Sequence, residues 1–401
     1  MPEFELYVAR VPMARAFRHF TKSRTASSSV LIVVREGDVE GWGESAPRPY
    51  VTGETVGSVL AALARPEVLR PAAEALLLPL DDALDAVAGL PAPPGPGGAD
   101  VAALAAAAGL ETALLDHLCR REGITGFEAL HRAGFGDVLA ATPAPAPVAT
   151  VIDLERDPIT YLESLPEQWR MAIPHVKLKA GSDLRATASL AARVRDLLPV
   201  TATVSVDANG AWDPAAVLRH ADALRESGLT WLEEPLAARR WGDLAALRGS
   251  GLTVMLDESC ASAHDLAACL AHEAADMVNL RVSKCGGPLR LLAMLRTARR
   301  AGLGVQIGVQ VGEVGPLWAT GRLVATAVPD LAAVEAGRQD EWFPPDLTTP
   351  TYAVDRAGSL APVLNGPGIG VRVTSALLER CTPHPIGSID RPAGTTSRGP
   401  A

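Results

Sequence analysis

The sequence predicts an α/β protein, a barrel of alternating strands and helices preceded by a smaller α+β domain. Three observations lead there. Between residues 147 and 335, eight short apolar runs alternate with amphipathic stretches, the pattern of parallel β/α units. Five of these runs in succession end in a charged residue: Lys179, Asp207, Glu233, Asp257 and Lys284. Their spacing of roughly one β/α unit puts all five on one barrel mouth, where strand-end charges read as catalytic. A chain of 401 residues also exceeds a typical barrel of about 250, leaving room for a second domain.

The elements follow in order. Val30-Leu-Ile-Val-Val is a β-branched strand, Glu36-Gly-Asp a turn, and Val39 to Glu44 a second strand. Thr55 to Leu63 has helical composition. The Pro/Gly-rich stretch from Leu90 to Gly98 reads as a flexible surface connection. Asp100 to Arg121 is an Ala/Leu-rich helix with Asp100 as its cap. Barrel strands are expected at 147–152, 174–179, 202–207, 229–233, 253–257, 277–282, 304–309 and 331–335. Asp213-Pro214 opens one of the intervening helices. The expected domains are 1–130 and 131–375. Residues 376–401, rich in Pro, Gly, Ser and Thr, are expected to form a disordered tail, part of which returns to the first domain.

Composition narrows the class. A net charge of −9 argues against nucleic acid or an anionic membrane as the main partner. No uncharged apolar run is long enough to span a bilayer. The start Met1-Pro-Glu-Phe-Glu has neither the basic region nor the apolar core of a signal peptide. Five cysteines without paired spacing read as thiols in a reducing compartment, so a cytoplasmic protein is expected.

Asp207, Glu233 and Asp257 end consecutive strands and are neighbours across the expected mouth. Three converging carboxylates repel one another, and burial would protonate them unless a cation is present. An all-oxygen trio selects a hard ion, Mg²⁺ with Mn²⁺ as its substitute. Singly, each is better explained as a solvated strand-end acid; three in a row favour the metal. Glu258 follows a candidate ligand, with Lys284 or solvent as its expected partner. Asn209 is a candidate support of the metal shell and equally a turn residue before Gly210.

Lys177 and Lys179 share one strand face. Paired ammonium groups lower one another's pKa, which makes one a candidate general base. Lys284, followed by Cys285-Gly-Gly, stands on the far side of the trio. These parts suit abstraction of a proton α to a carboxylate. A cation and a lysine offset the charge of the enediolate, and a second lysine takes the proton. The expected partner is a small-molecule carboxylate.

With Lys177-Leu-Lys179, Asp207-Ala-Asn209, Glu233-Glu-Pro235, Asp257-Glu-Ser259 and Lys284-Cys-Gly-Gly287 in this order, the chain resembles the enolase superfamily, in its muconate cycloisomerase-like subgroup. The resemblance runs over about residues 3 to 375. It implies a modified TIM barrel with an N-terminal capping domain whose loops, here about 13–25 and 46–54, select the substrate. It implies Asp207, Glu233 and Asp257 as Mg²⁺ ligands, Lys179 and Lys284 as opposed acid/bases, and Lys177 as an auxiliary. Glu313 falls where the subgroup often carries a glutamate. From the lid, Arg15, His19 and Tyr50 are candidate substrate contacts, within a basic loop that suits a second anionic group. No His follows the seventh strand, which disfavours sugar-acid dehydration. The eighth strand ends in Val334-Glu335-Ala-Gly337 and lacks the Asp-x-Asp of dipeptide epimerases, although Glu335 remains a candidate amine contact. The expected outcome is cycloisomerisation or racemisation/epimerisation. Syn β-elimination and a non-catalytic binding barrel are the alternatives; a hydrolase using Glu233 and Asp257 would leave the lysines without work. The subgroup's habit also implies a homo-oligomer.

Overall fold

The computed structural model describes residues 1–19, 22–96, 98–335 and 341–386; the side chains of residues 19, 22, 23 and 98–101 lie outside that description too. The strands Glu3–His19, Lys22–Glu36 and Val39–Ser45 form an antiparallel meander, and Cys381–His384 pairs with the outer edge of the first. Val30 to Val34 is apolar at every position because both faces of this sheet are covered. Val30, Ile32 and Val34 pack towards the helices Val56–Leu63 and Leu104–Glu122. Leu31 and Val33 pack against Trp318, Trp342, Tyr352 and Ile369.

Gly43 lets the long helix press on the sheet. A Cβ at Gly43 would lie 1.9 Å from the Gly109 carbonyl oxygen. Three buried glutamates then tie the sheet, the helices and the barrel together. Glu44 accepts from the backbone N–H groups of Val314, Gly315 and Leu317, at the start of the helix Pro316–Ala327. Glu111 accepts from Leu289 N–H at 2.7 Å, at the start of Pro288–Arg300. Glu54 accepts from Ala105 and Ala106 at 2.7 and 3.0 Å. Each supplies orphan first-turn donors with a carboxylate.

Glu54 also corrects one expectation. The helix read from Asp100 begins at Leu104, because Gly98–Ala102 pairs with Pro94–Gly95 inside the stretch expected to be a flexible connection. Its first turn is capped from 50 residues away in the chain, so no local residue was required. The helix ends at Gly123, at φ +69°.

The eight barrel strands are Thr150–Ile152, His175–Lys179, Thr203–Asp207, Trp231–Glu233, Val254–Leu256, Met277–Leu280, Gly304–Ile307 and Ala333–Val334. All pair in parallel and in chain order. Ala149 N–H donates to Val334 O at 2.7 Å, joining the start of the barrel to its eighth strand. The sixth strand stops at Leu280, short of the expected 282, and a single helical turn, Val282–Cys285, follows.

The segment expected as a lid loop at 13–25 is instead the distal end of the first hairpin, where Phe17, Arg18 and His19 pair with Arg24, Ser23 and Lys22. A register shift between Pro12 and Phe17 bends it over the barrel mouth, as bulges do. Ala14 N–H donates to Trp342 O, and Leu154 N–H to Arg18 O. Of the expected tail, residues 387–401 lie outside the described residues. Among the described residues, no helix is long and apolar enough to cross a membrane.

Candidate active site

Inward-facing strand ends meet at the mouth. Carboxylate oxygens of Asp207, Glu233 and Asp257 lie within 4.8 Å of one another, and all three residues are buried. Four cationic side chains surround them. Lys179 Nζ contacts Asp207 and donates to Asn209 Oδ1 at 3.1 Å. Lys177 Nζ donates to Glu233 at 2.7 Å and to Glu335 at 2.6 Å, and lies 3.3 Å from Asp207. Arg281 contacts Asp257. Lys284 Nζ donates to Asp257 Oδ1 at 2.8 Å and also contacts its backbone carbonyl.

These contacts decide the charge states. Burial works against ionised Asp207, yet Lys179 and Lys177 hold its carboxyl well below the usual carboxylate range. Burial likewise opposes a charged Lys177, but Glu233, Glu335 and Asp207 outweigh it and push its ammonium up. The expectation that the lysine pair would depress one another therefore does not extend to Lys177, which remains a fixed cation. Burial lowers Lys284.

The donor set fits a metal. Three clustered carboxylates without His or Cys suit a hard divalent ion. Glu234 shapes the loop that carries one of them. At φ +36° it turns away from the trio and accepts from the N–H groups of Asp257 and Ser259 at 2.8 and 3.2 Å. Asn209 sits at φ +45° before Gly210, as a turn residue would, and bridges Lys179 to Glu258, donating to the latter at 3.2 Å. Glu258 thus bonds to Asn209, while Lys284 turns to Asp257. Burial, with Glu234 and Asp207 nearby, pushes Glu258 up to about 8.

A pocket partly open to solvent lies beside the trio, sharing with it the contacting side chains Lys177, Lys179 and Arg281. Lys177, Lys179, Asn209, Glu258, Arg281, Gln310 and Glu335 form its floor and walls; Phe17, Arg24, Tyr50 and Trp342 form its cover. Of the expected lid contacts, Tyr50 reaches the pocket. Arg15 is engaged elsewhere, 2.6 Å from Asp153 and 3.5 Å from Glu341. The His19 side chain lies outside the described residues. Glu313 is buried behind the lining, accepting from Gln310 N–H at 2.7 Å, and burial pushes it up to about 8. Glu335 is bound by Lys177 and by Gln306 at 3.2 Å, so its charge is already matched within the protein.

The sequence reading passed over Arg281. Its signal was alternation: Asn279, two residues earlier, donates to Glu233 at 2.9 Å, so that strand face points inward. Lys284, expected as the opposed acid/base, sits on the helical turn beyond the strand, fully buried, with its Nζ on Asp257. Cys260 and Cys285 are buried free thiols, as expected.

Comparison with known proteins gives the same picture. Residues 161–377 match the family described as enolase C-terminal domain-like. An L-Ala-D/L-amino acid epimerase of Maribacter sp. is 34% identical over 137 residues, which cover 34% of this chain and 39% of that protein. Muconate cycloisomerase 1 of Rhodococcus opacus is 27% identical over 313 residues, 75% of this chain and 77% of that one. The crystal structure of N-succinyl Arg/Lys racemase from Bacillus cereus superposes with a TM-score of 0.77 at 22% identity, covering 94% of this chain and 96% of that one. That last likeness concerns the fold.

Proposed function

Because the chain belongs to the enolase C-terminal domain-like family, we propose that it is an isomerase acting at the carbon α to the carboxylate of a small organic acid. The observation that carries this reading is the convergence of Asp207, Glu233 and Asp257 next to Lys179, which lines the pocket. Asp207, Glu233 and Asp257 would hold Mg²⁺, with Mn²⁺ as its substitute. That ion, when bound, would offset the second negative charge of the enediolate.

Lys179 takes or gives the α-proton on one face of the carbon. Its Nζ lies at the wall of the pocket, held by Asp207 and by Asn209, which aim it. Lys177, fixed as a cation by Glu233 and Glu335, adds positive potential where charge develops. Phe17, Trp342 and Tyr50 exclude water from above, and Arg24, with its guanidinium 5.7 Å from the Tyr50 ring, suits an anionic group at the distal end of the substrate. Glu335, already neutralised by Lys177, does not favour an amine there. The product class is a cycloisomer or an epimer. Syn β-elimination would use the same parts and be recognised by release of water. Five free thiols accord with the cytoplasm, and the family's habit with a homo-oligomer.

The test is solvent exchange. With Mg²⁺ in D₂O, deuterium should enter the α-position of at least one of muconolactone, N-succinyl-lysine or an alanyl dipeptide, and Lys179→Ala should abolish it. Exchange that survives in Lys179→Ala overturns the assignment.

A further inference from the structure

We propose that Arg281, rather than Lys284, faces the substrate across from Lys179, and that proton transfer is therefore confined to one face of the α-carbon. The inference rests on the α-proton chemistry proposed above and specifies its stereochemistry.

The two candidate cations lie three residues apart and differ in what they reach. Arg281 directly follows the sixth strand, in register with the inward-facing Asn279, and its guanidinium lines the pocket. It contacts Asp257 and donates to Gln310 Oε1 at 3.3 Å. Its side chain is 7% exposed, and its buried Nε has no acceptor among the described residues. A donor of that kind, buried and unspent beside a pocket, is what a carboxylate ligand would satisfy. Lys284 has no such freedom. Both of its contacts go to Asp257, it is absent from the lining, and it acts by holding that carboxylate in place.

Lys179 ends the second of eight strands and Arg281 directly follows the sixth, halfway round the barrel from one another. A substrate over the trio therefore meets an amine on one side and a guanidinium on the other. An amine can lose its proton and become a base. A guanidinium stays protonated in proteins and acts only as a cation and hydrogen-bond donor. Lys179 takes the proton as the α-carbon's bonding pair moves into the enediolate, and the same ammonium gives it back. Arg281 supports the negative charge from the opposite side without exchanging a proton with carbon. Two-base racemisation needs a proton delivered to the opposite face, so this site suits reactions completed on one face, cycloisomerisation or syn elimination.

The closing experiment is deuterium incorporation from D₂O, with Mg²⁺ present, into muconolactone and into both antipodes of N-succinyl-lysine and of an alanyl dipeptide, read by NMR and chiral chromatography. Wild type should label one antipode only and leave it unracemised. Arg281→Lys, which places an amine on the second face, should raise labelling of the other antipode by about a hundredfold or more. Labelling of both antipodes by wild type, with one of them lost in Lys284→Ala, overturns the inference while leaving the α-proton reading intact. No labelling of any compound overturns that reading, and the inference with it.

Discussion

Lys177 Nζ donates to Glu335 at 2.6 Å, and this bond links the second strand, past the first, to the residue that follows the eighth. Both side chains are buried, so each depends on the other for its charge. Burial opposes an ionised Glu335, and Lys177 holds its carboxyl down. Breaking one half of such a pair leaves an uncompensated charge out of water. Glu335→Gln should therefore destabilise the protein by about 3 kcal/mol, seen as a lower urea midpoint with an unchanged slope. A midpoint equal to that of wild type would show that Glu233 and Asp207 alone suffice for Lys177.

Asp257 is gripped by Arg281 and Lys284, and its N–H by Glu234. Asp257→Asn keeps the shape and removes one anionic donor of three. Equilibrium dialysis against Mn²⁺ should show affinity at least about tenfold weaker than wild type. Unchanged affinity would place the ion elsewhere.

Lys179→Met should reduce turnover by about 10²–10⁴-fold, the usual share of a positioned acid/base, while a carboxylate ligand still binds in the presence of Mg²⁺. Comparing kcat with ligand affinity from calorimetry separates a lost base from a collapsed pocket.

His175 supplies a pH dependence. Its ring bonds Thr203 Oγ1 at 2.7 Å and Ser205 Oγ at 3.0 Å, stacks on Trp231, and is pushed down to about 3, chiefly by burial. The unfolded chain, with a histidine near 6.5, binds the proton first. Stability is then complete above about pH 6.5 and falls as pH drops towards 3, by about 1.4 kcal/mol per unit. Between pH 6.5 and 5 this amounts to roughly 2 kcal/mol. His175→Gln should flatten the change in urea midpoint between pH 7.5 and 5. An equal fall in both proteins would assign the acid sensitivity to other groups.

Much of the barrel was legible because its parallel strands are apolar runs and its functional groups sit where those runs stop. Asp207, Glu233 and Asp257 were found that way, with no long-range information. The sixth strand was not, since Leu280-Arg-Val is equally good strand sequence throughout. Its end is set by the last pairing, Leu280 with Ile307, which is a tertiary fact. With the end read two residues late, Arg281 fell inside the expected strand, and Lys284 was read as the charge at its end. The start of the helix at Leu104 failed for a related reason: its cap, Glu54, comes from a distant loop. Phe17 and Trp342 were not singled out because an isolated aromatic side chain in the sequence reads as core until the neighbouring domain is in place.

The sheet that carries the cover has three strands from the first 45 residues and a fourth, Cys381–His384, from the other end of the chain. Its second face is roofed by side chains from Val314 to Leu377. During synthesis, then, the first hairpin must wait with one edge and one face bare until the segments from Val314 to His384 have been made. The lid strands are translated long before the segments that complete them, so the pocket gains its aromatic cover only once Trp342 has joined Phe17 and Tyr50.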